Sequence, residues 1–234
     1  MTAGKCFLTP QTPELSDNQL LRQFYNQALF GAGPVPPPQS RVVLVAHILN
    51  VYYPPNRAPN FAIHFGSTKE QFAGLTRASG PGQKPVLGIS DDLFWLTPAF
   101  VVSTLGHEMI HMDQYNRKYK TNLTGINHAV AALRELEAYS WQLKKDNFPR
   151  TFKVGLLFSS FQNSEQQETE LNFQCAQWDV SKAIENIVTG PRSLIYSNNL
   201  AAWLQEDPWV RQVWLPQNPN WVQQHAGSKP ADCH

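Results

Sequence analysis

The stretch from Pro98 to about Arg117 has no internal proline. Thr97 is suited to cap it and Pro98 to open it, since the first helical position needs no N–H donor. Wound at 100° per residue, Val101, Val102, Leu105, Met109 and Met112 share one broad face. Phe100, Thr104, His107, His111 and Gln114 share the opposite one. A helix occupied on both sides belongs in the middle of a fold rather than on its surface. Whatever else the chain does, it has to build around this element.

The rest is read from its punctuation. Ser16-Asp17-Asn18-Gln19 predicts a capping box before a helix through Leu20, Leu21, Phe24, Ala28 and Leu29, closed by Gly31. Gly33-Pro34-Val35-Pro36-Pro37-Pro38 predicts a stiff extended connector. Residues 41–53 are ambiguous between helix and strand. Phe61–Phe65 reads as a strand, and Ser67–Glu70 as a short capped turn. Lys84–Ser90 reads as another strand, and Pro85 places it at a sheet edge. Asn127 caps a second helix from His128 to about Lys145, whose core stripe is Ala129, Ala132, Leu133, Leu136 and Leu143. Beyond residue 150 the chain reads as helical and loop-rich, with helical periods at 164–174 and 180–188 and a break at Gly190-Pro191. The tail carries Trp203, Trp209, Trp214 and Trp221, which either wrap the core or shape a cleft.

These elements predict one α+β domain over residues 1–234. A small mixed sheet and the two central helices occupy about 1–146. A mostly helical part follows over about 147–234. The sheet is expected to cover the first central helix, with the helical part as the other wall of a cleft.

A formal net charge of +1, with no basic block, is a poor basis for neutralising phosphates, so nucleic acid is not an expected partner. No run reaches the ~18 apolar residues that a membrane span needs. The opening MTAGKCFLTPQTPE lacks the apolar region of a secretory signal, so a cytoplasmic location or a non-classical export route is expected. The oligomeric state is not encoded in any pattern recognised here. Cys6, Cys175 and Cys233 are an odd number without a CxxC pair, which speaks against a disulfide scaffold or a cysteine zinc knuckle. Free cysteines are expected, with a bridge from a tail cysteine to Cys175 as the alternative. Asn122-Leu123-Thr124 matches a glycosylation sequon and is read as a chance match.

The chemistry is concentrated in His107-Glu108-Met109-Ile110-His111, an HExxH pattern. Residues four apart on a helix lie one turn apart on one face, so two imidazoles so spaced can converge on one ion. Glu108 sits about 100° around the helix from His107. There its carboxylate can act on a water at the ion without ligating it. Two metal ligands and a general base are thereby supplied by five residues. The composition yields roughly 0.01 chance matches per chain. A catalytic zinc takes three protein ligands and keeps one position open, so a third ligand is expected downstream. The longer HExxHxxGxxH pattern is absent, because Gln114 and Arg117 stand at its last two places. No cysteine-bearing ligand segment follows either.

Arg134-Glu135-Leu136-Glu137-Ala138-Tyr139 lies on the second helix. Glu135 and Glu137 project about 160° apart, so only one can face the metal. Glu135 aligns with His128 and Gln142 in a polar stripe, while Glu137 shares its side with Val130 and Trp141.

Over residues 84–145 the chain resembles the gluzincin-type zinc metallopeptidases of the zincin superfamily, whose second helix supplies a glutamate ligand. The resemblance implies a zincin-like fold with one Zn²⁺ held by His107, His111 and Glu135. It implies Glu108 as general base and a peptide or protein as substrate. Tyr139 departs from the family pattern, standing where an acid usually orients a histidine. His128, Tyr139, Tyr196 and His225 are candidates for the donor that stabilises the oxyanion. Asp113 and Tyr115 are candidates for supporting the ligands. Val86–Ser90 is the strand on which an extended substrate is expected to lie. Two other readings use the same residues. One is an effector-type zinc amidase acting on cell-wall peptide. The other is a non-catalytic binding protein stabilised by its metal, in which His128 closes the coordination sphere. A third, an adaptor built on the Trp-rich tail, needs no metal at all.

Overall fold

The computed structural model describes Val45 and residues 62–65, 74–77, 86–90, 98–143 and 163–233. The helix expected at 16–31, the proline connector, the turn at 67–70 and the cap at Thr97 lie outside the described residues, as does Cys6. Of the ambiguous stretch 41–53, Val45 alone is described; it is helical and buried.

The described chain is mostly helical, with one small sheet. Strands β1 (Ala62–Phe65), β2 (Gly74–Arg77) and β3 (Val86–Ile89) are followed by helices α1 (Pro98–Asn116) and α2 (Asn127–Leu143). Helices α3 (Asn163–Thr189) and α4 (Ser193–Glu206) come next. The chain then makes a π-helical turn at Val210–Trp214, a further turn at Leu215–Gln217 and a 3₁₀ turn at Trp221–Gln223. Two compact units are distinguished: Met1–Tyr115 with Lys145–Glu165, and Asn116–Lys144 with Gln166–His234.

In the first unit the strand order is β1-β3-β2, with β1 parallel and β2 antiparallel to β3. The sheet is therefore mixed, as expected. The edge position expected for 84–90 is corrected: β3 is the central strand, registered Ile63 to Leu87 on one side and Thr76 to Leu87 on the other. The reason is local. Proline costs a ladder bond only where its own N–H is needed, and the registered residues Val86–Ile89 hold no proline. With both flanks taken, Val86–Ile89 has no free edge to offer a substrate. Leu87 and Ile89 are buried while Val86 and Gly88 are half-buried, the alternation of a strand with one face inward.

Helix α1 starts at Pro98 as its sequence predicts. From Ser103 to Met109 every residue is buried, on all sides of the helix. At its exit Asp113, Tyr115 and Asn116 are exposed, so Asp113 and Tyr115 are end-of-helix residues.

The second unit is a helical core. Ala129, Leu133 and Leu136 of α2 pack with Val180 and Ile184 of α3 and with Leu200 and Trp203 of α4. Trp203 is fully buried and Trp214 nearly so, while Trp209 and Trp221 pack against the same core from outside. The tail tryptophans are thus core as well as surface. Asn122 shapes the entry to α2: its Oδ1 accepts from the Thr124 N–H at 2.9 Å and from its hydroxyl at 2.8 Å. Gly125 follows with a φ of 81°, the left-handed region that glycine enters at least cost.

The cysteine expectation is also corrected. Cys175 and Cys233 form a disulfide across 58 residues, with Cα atoms 5.6 Å apart. The tail is tied to α3 by more than this bond. Trp178 donates its indole N–H to the Gly227 carbonyl at 2.8 Å, and the Lys229 ammonium lies over the Trp178 ring.

Candidate metal centre

His107 and His111 sit one turn apart on α1, where the helical repeat turns both rings to one side. Their centroids are 4.7 Å apart and their planes meet at 76°. The two Nε2 atoms approach to 3.0 Å. Two imidazole lone pairs cannot face each other at that distance without something positive between them, either a proton or a cation. Two Zn–N bonds of about 2.0–2.1 Å at a tetrahedral angle place their nitrogens about 3.3 Å apart, close to what is seen.

The other nitrogen of His111 supports the same arrangement. Its Nδ1 is 2.9 Å from the Gln114 carbonyl oxygen. A carbonyl only accepts, so a proton sits on Nδ1, and in the neutral ring Nε2 then keeps its lone pair, the tautomer a metal requires. Gln114 is itself buried. Sequence reasoning placed Gln114 on the histidine face but gave it no role. The signal was there: an amide three residues after His111 on the same stripe.

Glu108 is buried at 5% exposure, on the helix between the two histidines. A carboxylate held that far from solvent is unusual in a position with only a packing role.

Glu135 completes the group. His107, His111 and Glu135 each offer one ligand atom, and these atoms all lie within 4.8 Å of one another. His107 is buried, His111 half-buried and Glu135 exposed. Two nitrogens and a carboxylate oxygen suit a divalent cation of intermediate softness. The group can hold a metal ion.

Glu137, the alternative ligand, is engaged elsewhere. Its Oε2 accepts from Arg117 Nη1 at 2.7 Å and its Oε1 from Arg117 Nη2 at 2.6 Å. Arg117 Nη1 also lies 3.0 Å from Asp207 Oδ2, which accepts the Tyr119 hydroxyl at 2.7 Å.

The candidate oxyanion donors have these surroundings. His128 is exposed on the first turn of α2. Tyr139 packs against the helical core of the second unit. The Tyr196 ring lies against Gly125, and its hydroxyl accepts from Arg192 at 3.4 Å. His225 is largely exposed, its Nδ1 3.6 Å from Glu185. The carboxyl of Glu185 is lowered below its ordinary range, first by the Lys182 ammonium that hydrogen-bonds it and then by His225.

No helix among the described residues is long and apolar enough to cross a membrane. No protein family, characterised protein or solved structure matches this chain.

Proposed function

We propose that the chain is a zinc-dependent metallopeptidase of zincin-like, gluzincin-type architecture. Its ligands are His107, His111 and Glu135, and its substrate is a peptide or protein. The observation that carries the reading is the pair of Nε2 atoms at 3.0 Å, with Gln114 fixing the His111 tautomer and a buried glutamate between the histidines. A site that binds metal only for structure has no use for that glutamate.

When bound, Zn²⁺ supplies a Lewis acid that polarises the scissile carbonyl and acidifies a nearby water. The remaining work falls to the chain. His107 and His111 hold the cation from a buried helix that keeps their rings from rotating away. Glu108 takes a proton from the attacking water as its oxygen bonds to the carbonyl carbon. It then delivers that proton to the amide nitrogen as the C–N bond breaks, so the products are a carboxylic acid and an amine.

Metal analysis of the purified protein beside His107→Ala and Glu108→Gln tests this, with hydrolysis followed on a quenched-fluorescent peptide library. About one zinc per chain is expected in the wild type, lost in His107→Ala and kept in Glu108→Gln. Peptide hydrolysis is expected to fall by about 10²–10⁴-fold in Glu108→Gln, the range a general base supplies. A wild type that takes up no zinc after chelation and reconstitution overturns the proposal.

A further inference from the structure

The second unit carries a cavity of about 380 Å³ that opens to solvent. Its floor is apolar, made by Leu136 of α2, Val180 of α3 and Trp214 of the π-helical turn. Phe173 and Trp209 add aromatic rings to the wall. Leu143 and Val213 add apolar surface, and the rest of the lining is polar and uncharged: the amides of Gln177, Gln217, Asn218 and Gln224 and the hydroxyls of Ser140 and Ser181.

Two of these amides are held in place. Gln224 Nε2 donates to Asn218 Oδ1 at 2.7 Å, and Asn218 Nδ2 donates to the Trp214 carbonyl at 2.9 Å. That chain of two bonds ties both amide side chains to the Trp214 backbone. Pre-set polar groups of this kind lower the ordering cost of binding.

The lining restricts the ligand. Among the described residues no lysine, arginine, aspartate or glutamate lines the cavity, so an ionic ligand entering it loses water without gaining a counter-charge from them. A wholly apolar ligand strips water from amides and hydroxyls and gives nothing back. An extended peptide needs backbone donors and acceptors along an open edge. Most of the lining sits within helices and helical turns, whose backbone groups pair internally, while Asn218 and Gln224 follow such turns with their N–H groups on the Trp214 and Trp221 carbonyls. A ring that is apolar on its face and rich in hydroxyls at its rim satisfies both parts of the lining, and the volume falls in the range of small-molecule sites.

We propose that this cavity binds a neutral saccharide of one to two rings in its interior, with Trp209 as stacking platform and the Asn218–Gln224 pair at the rim. It is independent of the metal reading, because no lining residue is a proposed metal ligand.

The test is tryptophan fluorescence of the full chain titrated with two neutral probes, diacetylchitobiose and maltose. A blocked neutral peptide, acetyl-trialanine amide, is the comparison. A saturable emission change with at least one disaccharide, and none with the peptide, is expected. Affinity should fall about tenfold in Trp209→Ala through loss of the stacking face. It should fall by about threefold in Gln177→Ala, an exposed helix position whose exchange leaves the thermal melt unchanged. No saturable change with either sugar overturns the proposal. So does binding of the peptide alone, and so does wild-type affinity in both variants.

Discussion

Arg117 meets both oxygens of Glu137, and the two side chains are only 14% and 8% exposed. The same guanidinium contacts Asp207, which is buried at 1% and also accepts the Val210 N–H at 2.9 Å. These groups are worth little as isolated charges and a good deal as a satisfied set, because each would be costly to leave behind. Glu137→Ala is therefore expected to destabilise the protein by about 3 kcal/mol and to leave metal content intact in the folded fraction. Glu135→Ala should do the reverse. Exposed on the same helix, Glu135 can be removed with little change in thermal stability, and its loss should weaken zinc binding severalfold or more. Parallel melts and zinc titrations separate the two, and equal effects on metal binding would remove Glu135 from the ligand set. Tyr119 supplies a pH dependence. Burial, and then the hydrogen bond and charge of Asp207, push its hydroxyl up to about 12. An unfolded tyrosine ionises near 10. Between those values the native state keeps a proton that the unfolded state has released, so stability falls as pH rises through that window. Denaturant unfolding at pH 9 and 11 should show a smaller alkaline loss in Tyr119→Phe than in the wild type.

Among the elements, the turn into α2 has the sharpest requirement. At Gly125 the backbone is left-handed and the Tyr196 ring occupies the space where a Cβ would project. Gly125→Ala meets both obstacles. It should cost about 1–2 kcal/mol for the backbone alone, and more if the ring cannot shift, read as a lowered thermal midpoint. Gly227 has open space around its Cα, so Gly227→Ala is the neutral comparison. The same contrast explains what was legible in the sequence. Helix α1 was, because Pro98 opens it and nothing interrupts it. So was the HExxH pair, because its geometry is local to one helix. Helix α3 runs unbroken where two helical periods were read. Residues 175–179 hold no glycine or proline, so they weaken the pattern without breaking the helix. Strand β2 opens on a glycine and holds one β-branched residue, Thr76, so its composition gives no strand signal. Long-range partners were out of reach: Glu137 lies 20 residues from Arg117, and Asp207 lies 90. Local periodicity could favour Glu135 over Glu137, but only the distant arginine explains where Glu137 is spent.

At the scale of the molecule, the second unit is held by covalent and polar ties between distant segments. Glu206, at the end of α4, accepts from the Thr121 hydroxyl and the Lys120 N–H, both at 2.7 Å, which lowers its carboxyl below the ordinary range. Its stabilising contribution is present at neutral pH and is lost as pH falls through that lowered value. The Cys175–Cys233 bond does for the tail what Glu206 does for the loop before α2, but without dependence on pH. Closing a loop of 58 residues corresponds to roughly 4 kcal/mol in the chain-entropy treatment. Such bonds persist where thiols are not kept reduced, so the protein is suited to an oxidising environment. Reduction should lower the thermal midpoint of the second unit and release residues 224–233 to proteolysis. The Cys175→Ser/Cys233→Ser double variant should show the same lowered midpoint with or without reductant. Zinc content measured in that variant separates the tail from the proposed ligands. No proposed ligand lies in the tail or on α3, so the variant should keep its metal at a temperature where it remains folded. Loss of zinc from a protein still folded by circular dichroism would mean that the tail supports the metal site as well as the helical core.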